Sequence, residues 1–251
     1  VGDTAGAYSG LIVGHLKKAQ EDPNVKAVVL RVDSPGGSAV ASSEIHQQML
    51  VMTKPVVVSM GELAASGGYY VSAPADEIFA NPGTLTGSIG VISQFINIDD
   101  LLSEYGVGVT VIKSGESKDV GSMFRAMTEE EIAIWQAISD ETYNRFVQVV
   151  ADGRGLPVDE VKILADGRIY TGQQALALGM VDQLDNLPAA IQRAAELGGI
   201  EGEPGIVEYQ RPFGVFQGLF GLARPSDPVS EVMSLLDRGH GPALQYLYVG
   251  P

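Results

Sequence analysis

The 251-residue sequence contains no cysteine and only three histidines, and it carries 16 Lys+Arg against 31 Asp+Glu. Lack of cysteine excludes disulfides, thiolate metal sites and a cysteine nucleophile, and leaves the redox compartment unread. His15, His46 and His240 are scattered, with no H-E-x-x-H spacing, so neither a zinc site nor any other metal or cofactor is expected. The shortage of positive charge, net −15, opposes nucleic-acid backbones, CoA-like polyphosphates and anionic membrane surfaces. No nucleic-acid partner is expected. No run of about 18 apolar residues appears, so the residues present read as soluble. The start Val1-Gly-Asp-Thr lacks both Met and a basic-then-apolar leader, as in a chain trimmed of an anchor or targeting segment.

What is present is a core-forming composition, 45% hydrophobic, enough for one large α/β domain with or without a tail. Leu11 to Gln20 reads as an amphipathic helix closed by Glu21-Asp22-Pro23, and Val25 to Val32 as a buried strand of parallel-sheet type. The glycine turn Asp33 to Ser38 follows, then a helix from Ser38 to Met52 with Val40, Ile45 and Met49 inward. A second strand, Val56 to Met60, leads to a second glycine turn around Ser66 and a small-residue helix from Gly67 to Ala75. Extended segments are expected at Glu77 to Ala80, Leu85 to Ile92 and Gly108 to Lys113, with a short helix from Asp99 to Tyr105 between the last two. Thr128-Glu-Glu-Glu131 is a capping box opening a long helix to about Asp152. Short elements follow at Asp159 to Leu164, Arg168 to Tyr170, Gly172 to Leu178 (capped by Thr171), Val181 to Leu184 and Leu187 to Leu197.

The chain divides into residues 1–200, a catalytic domain, and 201–251, a less periodic tail suited to packing or oligomer contacts. Within the tail, Phe213 to Leu222 reads as subunit packing or core, or as a membrane-surface contact, and Leu244 to Tyr248 as a segment packing on the domain.

Gly61 to Tyr70 is the stretch with chemical content. A serine between small residues and two glycines, just after a buried strand, suits a sharp turn that exposes a hydroxyl to act as nucleophile. The same pattern also suits a helix cap with glycines that ease packing. A serine nucleophile needs a base. His240, in the tail, reads as a surface residue, and no lysine follows a serine by three, which leaves a dyad assembled from distant segments. Lys118, in a Gly/Ser-rich loop after a strand pattern, fits better than Lys17, Lys18 or Lys162, which lie on solvated helix faces. An ordinary solvated loop lysine is the alternative. A lysine acts as a base only when uncharged, and an adjacent Asp119 pointing the same way opposes that. The turn Asp33-Ser-Pro-Gly-Gly37 offers free backbone amides for an oxyanion, or is a plain Pro-Gly turn.

Four blocks, Arg31 to Ser38, Ala64 to Tyr70, Thr86 to Val91 and Lys113 to Asp119 with Arg125 to Glu131, resemble in order and spacing the signal peptide peptidase A family of Ser-Lys peptidases. The resemblance covers roughly Leu11 to Leu197. It implies a Clp protease/crotonase-like α/β fold of repeated ββα units, with a mostly parallel sheet and flanking helices. It further implies that Ser66 is the nucleophile, Lys118 the general base, Ser88 a support for the lysine amine, and the Gly37 and Gly67 amides the oxyanion hole. Signal peptides and other hydrophobic peptides are the implied substrates. A homo-oligomeric ring, and an extracytoplasmic catalytic domain held at the membrane by an anchor absent from this chain, are also implied. The opening strand usual in that family is missing here. Two competing functions are a crotonase-like acyl-CoA enzyme, opposed by the net charge, and an inactive ring-forming scaffold.

Overall fold

A computed structural model describes residues 9–209 and the backbone of 245–247. The order is α1 (Ser9–Glu21), β1 (Val28–Ser34), β2 (Gly36–Ser38), α2 (Ala39–Leu50), β3 (Val56–Ala65), α3 (Gly67–Ser72), β4 (Glu77–Ala80) and β5 (Leu85–Gly87). There follow α4 (Asp99–Glu104), a 3₁₀ turn (Glu116–Asp119), α5 (Glu129–Arg154), α6 (Val158–Leu164), β6 (Ile169–Thr171), α7 (Gly172–Ala177), β7 (Gln183–Leu184), α8 (Leu187–Leu197) and β8 (Gln245–Leu247). The expected α/β class with a mostly parallel sheet and flanking helices is what folds: every ladder of the main sheet is parallel except β5 with β6.

β3 is the spine. β1 runs along one edge of it from Val28↔Val56 onward, while β4 lines the first half of the other edge and β5 the second half. Side chains alternate across a strand, and both faces of β3 are covered. Val56, Val58, Met60 and Ala64 enter the main core with Ile45, Met49, Tyr69, Tyr70, Phe146 and Val150, whereas Val57 joins Phe79, Ala190 and Ala194 under α8. That two-sided burial explains why Val56 to Val58 is apolar without alternation.

Several expectations change. Val28, Val29 and Leu30 are half-buried rather than buried, because β1 pairs only with β3 among the described strands. In α2 the inner face is Ala39, Ser42, Ile45, His46 and Met49, at helical spacing, while Val40 lies off that stripe and is 69% exposed. The strand expected from Leu85 stops at Gly87, since Gly87 and Ser88 both take positive φ and turn the chain. Gly108 to Lys113 forms no strand: it has no ladder partner among the described residues, and Val109, Val111 and Ile112 face outward. The strand ending at Met60 instead continues to Ala65, directly against the serine turn. The expected capping box of Thr128 with Glu131 forms, and Thr171, expected only as a cap, forms a second one with Gln174. His240, the stretch Phe213 to Leu222 and the side chains of Leu244 to Tyr248 lie outside the described residues, apart from the backbone of β8.

Candidate active site

Ser66 stands at the junction of β3 and α3 with φ 52 and ψ −117. A side-chain-bearing residue held at positive φ costs about 1–3 kcal/mol and persists only when its surroundings impose it. Here they are a strand buried on both faces before it and a fully buried six-residue helix after it. Ser66 makes no cap hydrogen bond, so the helix-cap reading does not hold. The residue is 1% exposed, and its Oγ has no hydrogen-bond partner among the described residues. A buried hydroxyl left unbonded is costly, and such groups concentrate where chemistry uses them.

Two glycines close around it. Glycine at 67 is dictated by crowding: a Cβ there would stand 2.7 Å from Ser42 Oγ, 3.2 Å from Gly36 Cα and 3.2 Å from the Gly37 nitrogen. The two amides expected to form an oxyanion hole, those of Gly37 and Gly67, are therefore neighbours. Gly36 and Gly37 take φ 108 and 145, conformations that L side chains rarely adopt. The turn before them is fixed by Ser34, whose Oγ accepts from the Gly36 amide at 3.1 Å. At Gly68 a Cβ would meet the Ser34 carbonyl oxygen at 2.9 Å, so the start of α3 rests directly on the end of β1.

Ser88 joins the same corner. Ala65 pairs with Gly87 in the β3–β5 ladder, and the Ser66 amide donates to the Gly87 carbonyl at 2.8 Å. Ser88 is one residue beyond that bond, 7% exposed and at φ 49. Its amide donates to Arg168 O at 2.8 Å, which fixes the turn against the strand that leads into β6.

Lys118 stands outside the hydrogen bonds of this corner. It is exposed on the 3₁₀ turn Glu116–Asp119, in the segment between Ser93 and Met127, and no hydrogen bond links it to Ser66. This segment is tied to the body through the Phe95–Trp135 ring contact at 5.0 Å, and Ile98 N donates to Met123 O within it. Its apolar side chains face outward: Ile96, Leu101, Tyr105, Val107, Val109, Val111 and Ile112 are between 46% and 96% exposed. Asp119 does not point freely at the lysine. Its carboxylate is gripped by Arg125 and Lys113, which together hold it well below the usual carboxylate range.

Some residues of this corner carry no motif signal. Ser42, which presses on Gly67, looks like any helix serine. Asp33 accepts from the Leu63 amide at 3.1 Å and sits where a side chain at Gly61 would collide with it, 2.6 Å from Cγ. Packing of α2 against α3 reveals the first, and pairing of β1 with β3 the second.

β8 runs antiparallel along β2, with Gly36 opposite Leu247, Gly37 opposite Tyr246 and Ser38 opposite Gln245. A segment from late in the chain thus pairs with β2, the strand that contains Gly37. Among the described residues no helix is long and apolar enough to cross a membrane.

Comparison with known proteins gives a consistent picture. The family described as Peptidase family S49 matches residues 49–201, and the one described as Clp protease matches residues 5–84. A provisionally named protease of Synechocystis sp. is 47% identical over 186 residues, 73% of this chain and 67% of that protein. A provisionally named signal peptide peptidase SppA of Enterococcus faecium is 48% identical over 172 residues, 67% of this chain and 50% of that protein. Protease 4 of Salmonella typhi is 40% identical over 199 residues, 78% of this chain but 32% of that protein. The chain thus spans between about a third and two thirds of the length of these relatives.

Proposed function

The chain belongs to peptidase family S49, the family of the SppA peptidases, and on that premise we propose that it is a serine endopeptidase with a Ser66–Lys118 dyad. One observation carries the reading: Ser66 is a strained, buried serine with an unbonded hydroxyl, next to the paired Gly37 and Gly67 amides. In the proposed reaction the neutral Lys118 amine takes the Ser66 proton as Oγ attacks the peptide carbonyl. The resulting oxyanion accepts from the two amides, and the protonated amine then gives its proton to the departing peptide nitrogen. Water repeats the sequence on the acyl-enzyme, and the free serine is restored. One oxyanion donor is worth about 3 kcal/mol of transition-state stabilisation.

Lys118 reaches Ser66 from a second copy of the chain. The lysine is exposed on its turn while Ser66 is buried and unbonded, and the intervening segment presents a row of apolar side chains to the outside. Exposed apolar runs of that kind suit a protein partner, and a homo-oligomeric ring supplies one. Ser88 lies beside Ser66 and holds the incoming amine. Hydrophobic peptides, cleaved signal peptides among them, are the proposed substrates. The edge of β2 offers their backbone a strand to pair with, which is what β8 does in this structure. Association with the membrane and an extracytoplasmic location follow from the same family reading.

A serine-directed phosphonate mapped by mass spectrometry tests the nucleophile, and labelling anywhere but Ser66 overturns it. Mixing inactive Ser66→Ala with inactive Lys118→Ala tests the dyad: recovered activity is expected, whereas no recovery from assembled mixtures places both residues in one chain.

A further inference from the structure

The turn that carries Lys118 is weakly held by its own backbone. Lys118 N donates to Gly115 O at 3.3 Å and Val120 N to Ser117 O at 3.4 Å, both long for hydrogen bonds. Lys113 Nζ donates to Glu116 O at 2.6 Å within the same loop, and the link from the turn to α5 runs through the next residue. Arg125 Nε donates to Asp119 Oδ2 at 3.0 Å and one terminal nitrogen to Asp119 Oδ1 at 2.8 Å. The same guanidinium grips Glu131 at 2.8 and 2.5 Å. Glu131 is 7% exposed and locked at the start of α5 by its capping box with Thr128. One planar fork thus ties the lysine's turn to a long helix, a two-sided bidentate geometry that a lysine in its place could not reproduce.

The cluster is also balanced in charge. Lys113 Nζ lies 2.6 Å from Asp119 Oδ1, so two carboxylates, Asp119 and Glu131, meet two cations, Lys113 and Arg125. Other acidic groups nearby in sequence are Glu116 on the turn, Glu129 and Glu130 at the start of α5, and Asp99, Asp100 and Glu104 in α4.

We propose that Arg125 is the positioning residue of the dyad's base: it anchors the Lys118 turn to α5 and occupies the Asp119 carboxylate that would otherwise pair with the lysine amine. The inference rests on the reading of Lys118 as the base. Glu131 supports it as the fixed end, and its carboxyl is lowered to about 2, chiefly by Arg125. At neutral pH the anchor is therefore ionised.

The test is kcat/KM against pH on the full chain with a fluorogenic apolar peptide, for wild type, Arg125→Gln, Arg125→Lys, Asp119→Asn and Lys118→Ala. Arg125→Gln frees Asp119 and removes a cation, so the acid limb moves up by about half to one pH unit. Asp119→Asn leaves two cations under-paired and moves it down. Arg125→Lys keeps the charge and loses the fork, so kcat falls with the limb in place. A purely structural Arg125 would lower activity in these variants without opposite displacements of the limb. Unmoved limbs with Lys118→Ala inactive overturn the role of Arg125 alone, whereas full activity in Lys118→Ala overturns the base itself. Should Arg125→Gln fail to melt cooperatively, Asp119→Asn decides: an unmoved limb there overturns the proposal.

Discussion

The amide of Ser66 donates to the carbonyl oxygen of Gly87 at 2.8 Å, continuing the β3–β5 ladder one step past Ala65. This bond sets the nucleophile turn and the Ser88 turn side by side, each at positive φ, at the ends of adjacent parallel strands.

Strain at Ser66 gives the first prediction. Ser66→Ala and Ser66→Gly should both lose peptidase activity by 10³-fold or more on the order-of-magnitude scale of nucleophile deletions. Ser66→Gly should be more stable than Ser66→Ala by about 1 kcal/mol, because glycine adopts φ 52 without strain. Urea unfolding of the two variants checks this, and equal midpoints would argue that the turn is unstrained.

Crowding at Gly67 gives the second. Gly67→Ala pushes on Ser42 Oγ and the Gly37 nitrogen, so it should displace the second oxyanion amide and lower kcat by about 10²–10³-fold. Steady-state kinetics would show the loss mainly in kcat; a change confined to KM would contradict the oxyanion assignment.

Two other glycines should respond oppositely to alanine. Gly153 packs α5 on the end of α3, where a Cβ would stand 2.4 Å from Ala73 O, so Gly153→Ala should destabilise by about 1–3 kcal/mol. Gly14 in α1 has open space around it, and Gly14→Ala should stabilise by about 0.5–1 kcal/mol through helix propensity. Thermal melts compare both with wild type.

His46 gives a pH prediction. It is 6% exposed, meets Tyr70 edge-on at 5.3 Å between ring centroids, and burial lowers its pKa below 6.5, partly offset by Asp152. The unfolded chain takes up the proton first, so its contribution to stability is complete above about pH 6.5 and is lost as pH falls from there toward the lower folded value. Melting temperature should therefore drop between neutral and mildly acidic pH, and His46→Gln should flatten that drop. An identical slope in the variant would assign the acid sensitivity elsewhere.

The strand β8 gives the last. Ending the chain at Gly239 uncovers the edge of Gly36–Ser38, and peptide KM should fall if substrate pairs there. An unchanged KM would mean that peptides bind along another edge.

The local features were legible in the sequence because short-range chemistry determines them. Threonine three residues before glutamate makes the cap of α5, the unbroken apolar run at Val56 makes a strand covered on both faces, and the small residues around Ser66 permit a sharp turn. Residue pattern already pointed to Ser66 and Lys118 as candidates, and family resemblance joined them in one dyad and added Ser88. Tertiary structure decided the rest, since it depends on which strands pair. The β3–β5 register places Ser88 at Ser66, the approach of Ser42 and Gly37 demands glycine at 67, and the absence of a ladder partner among the described residues leaves Gly108 to Lys113 out of the sheet. The fold also turns Asp119 onto Arg125 and leaves Lys118 exposed, an outcome of loop conformation that the neighbouring residue types do not specify.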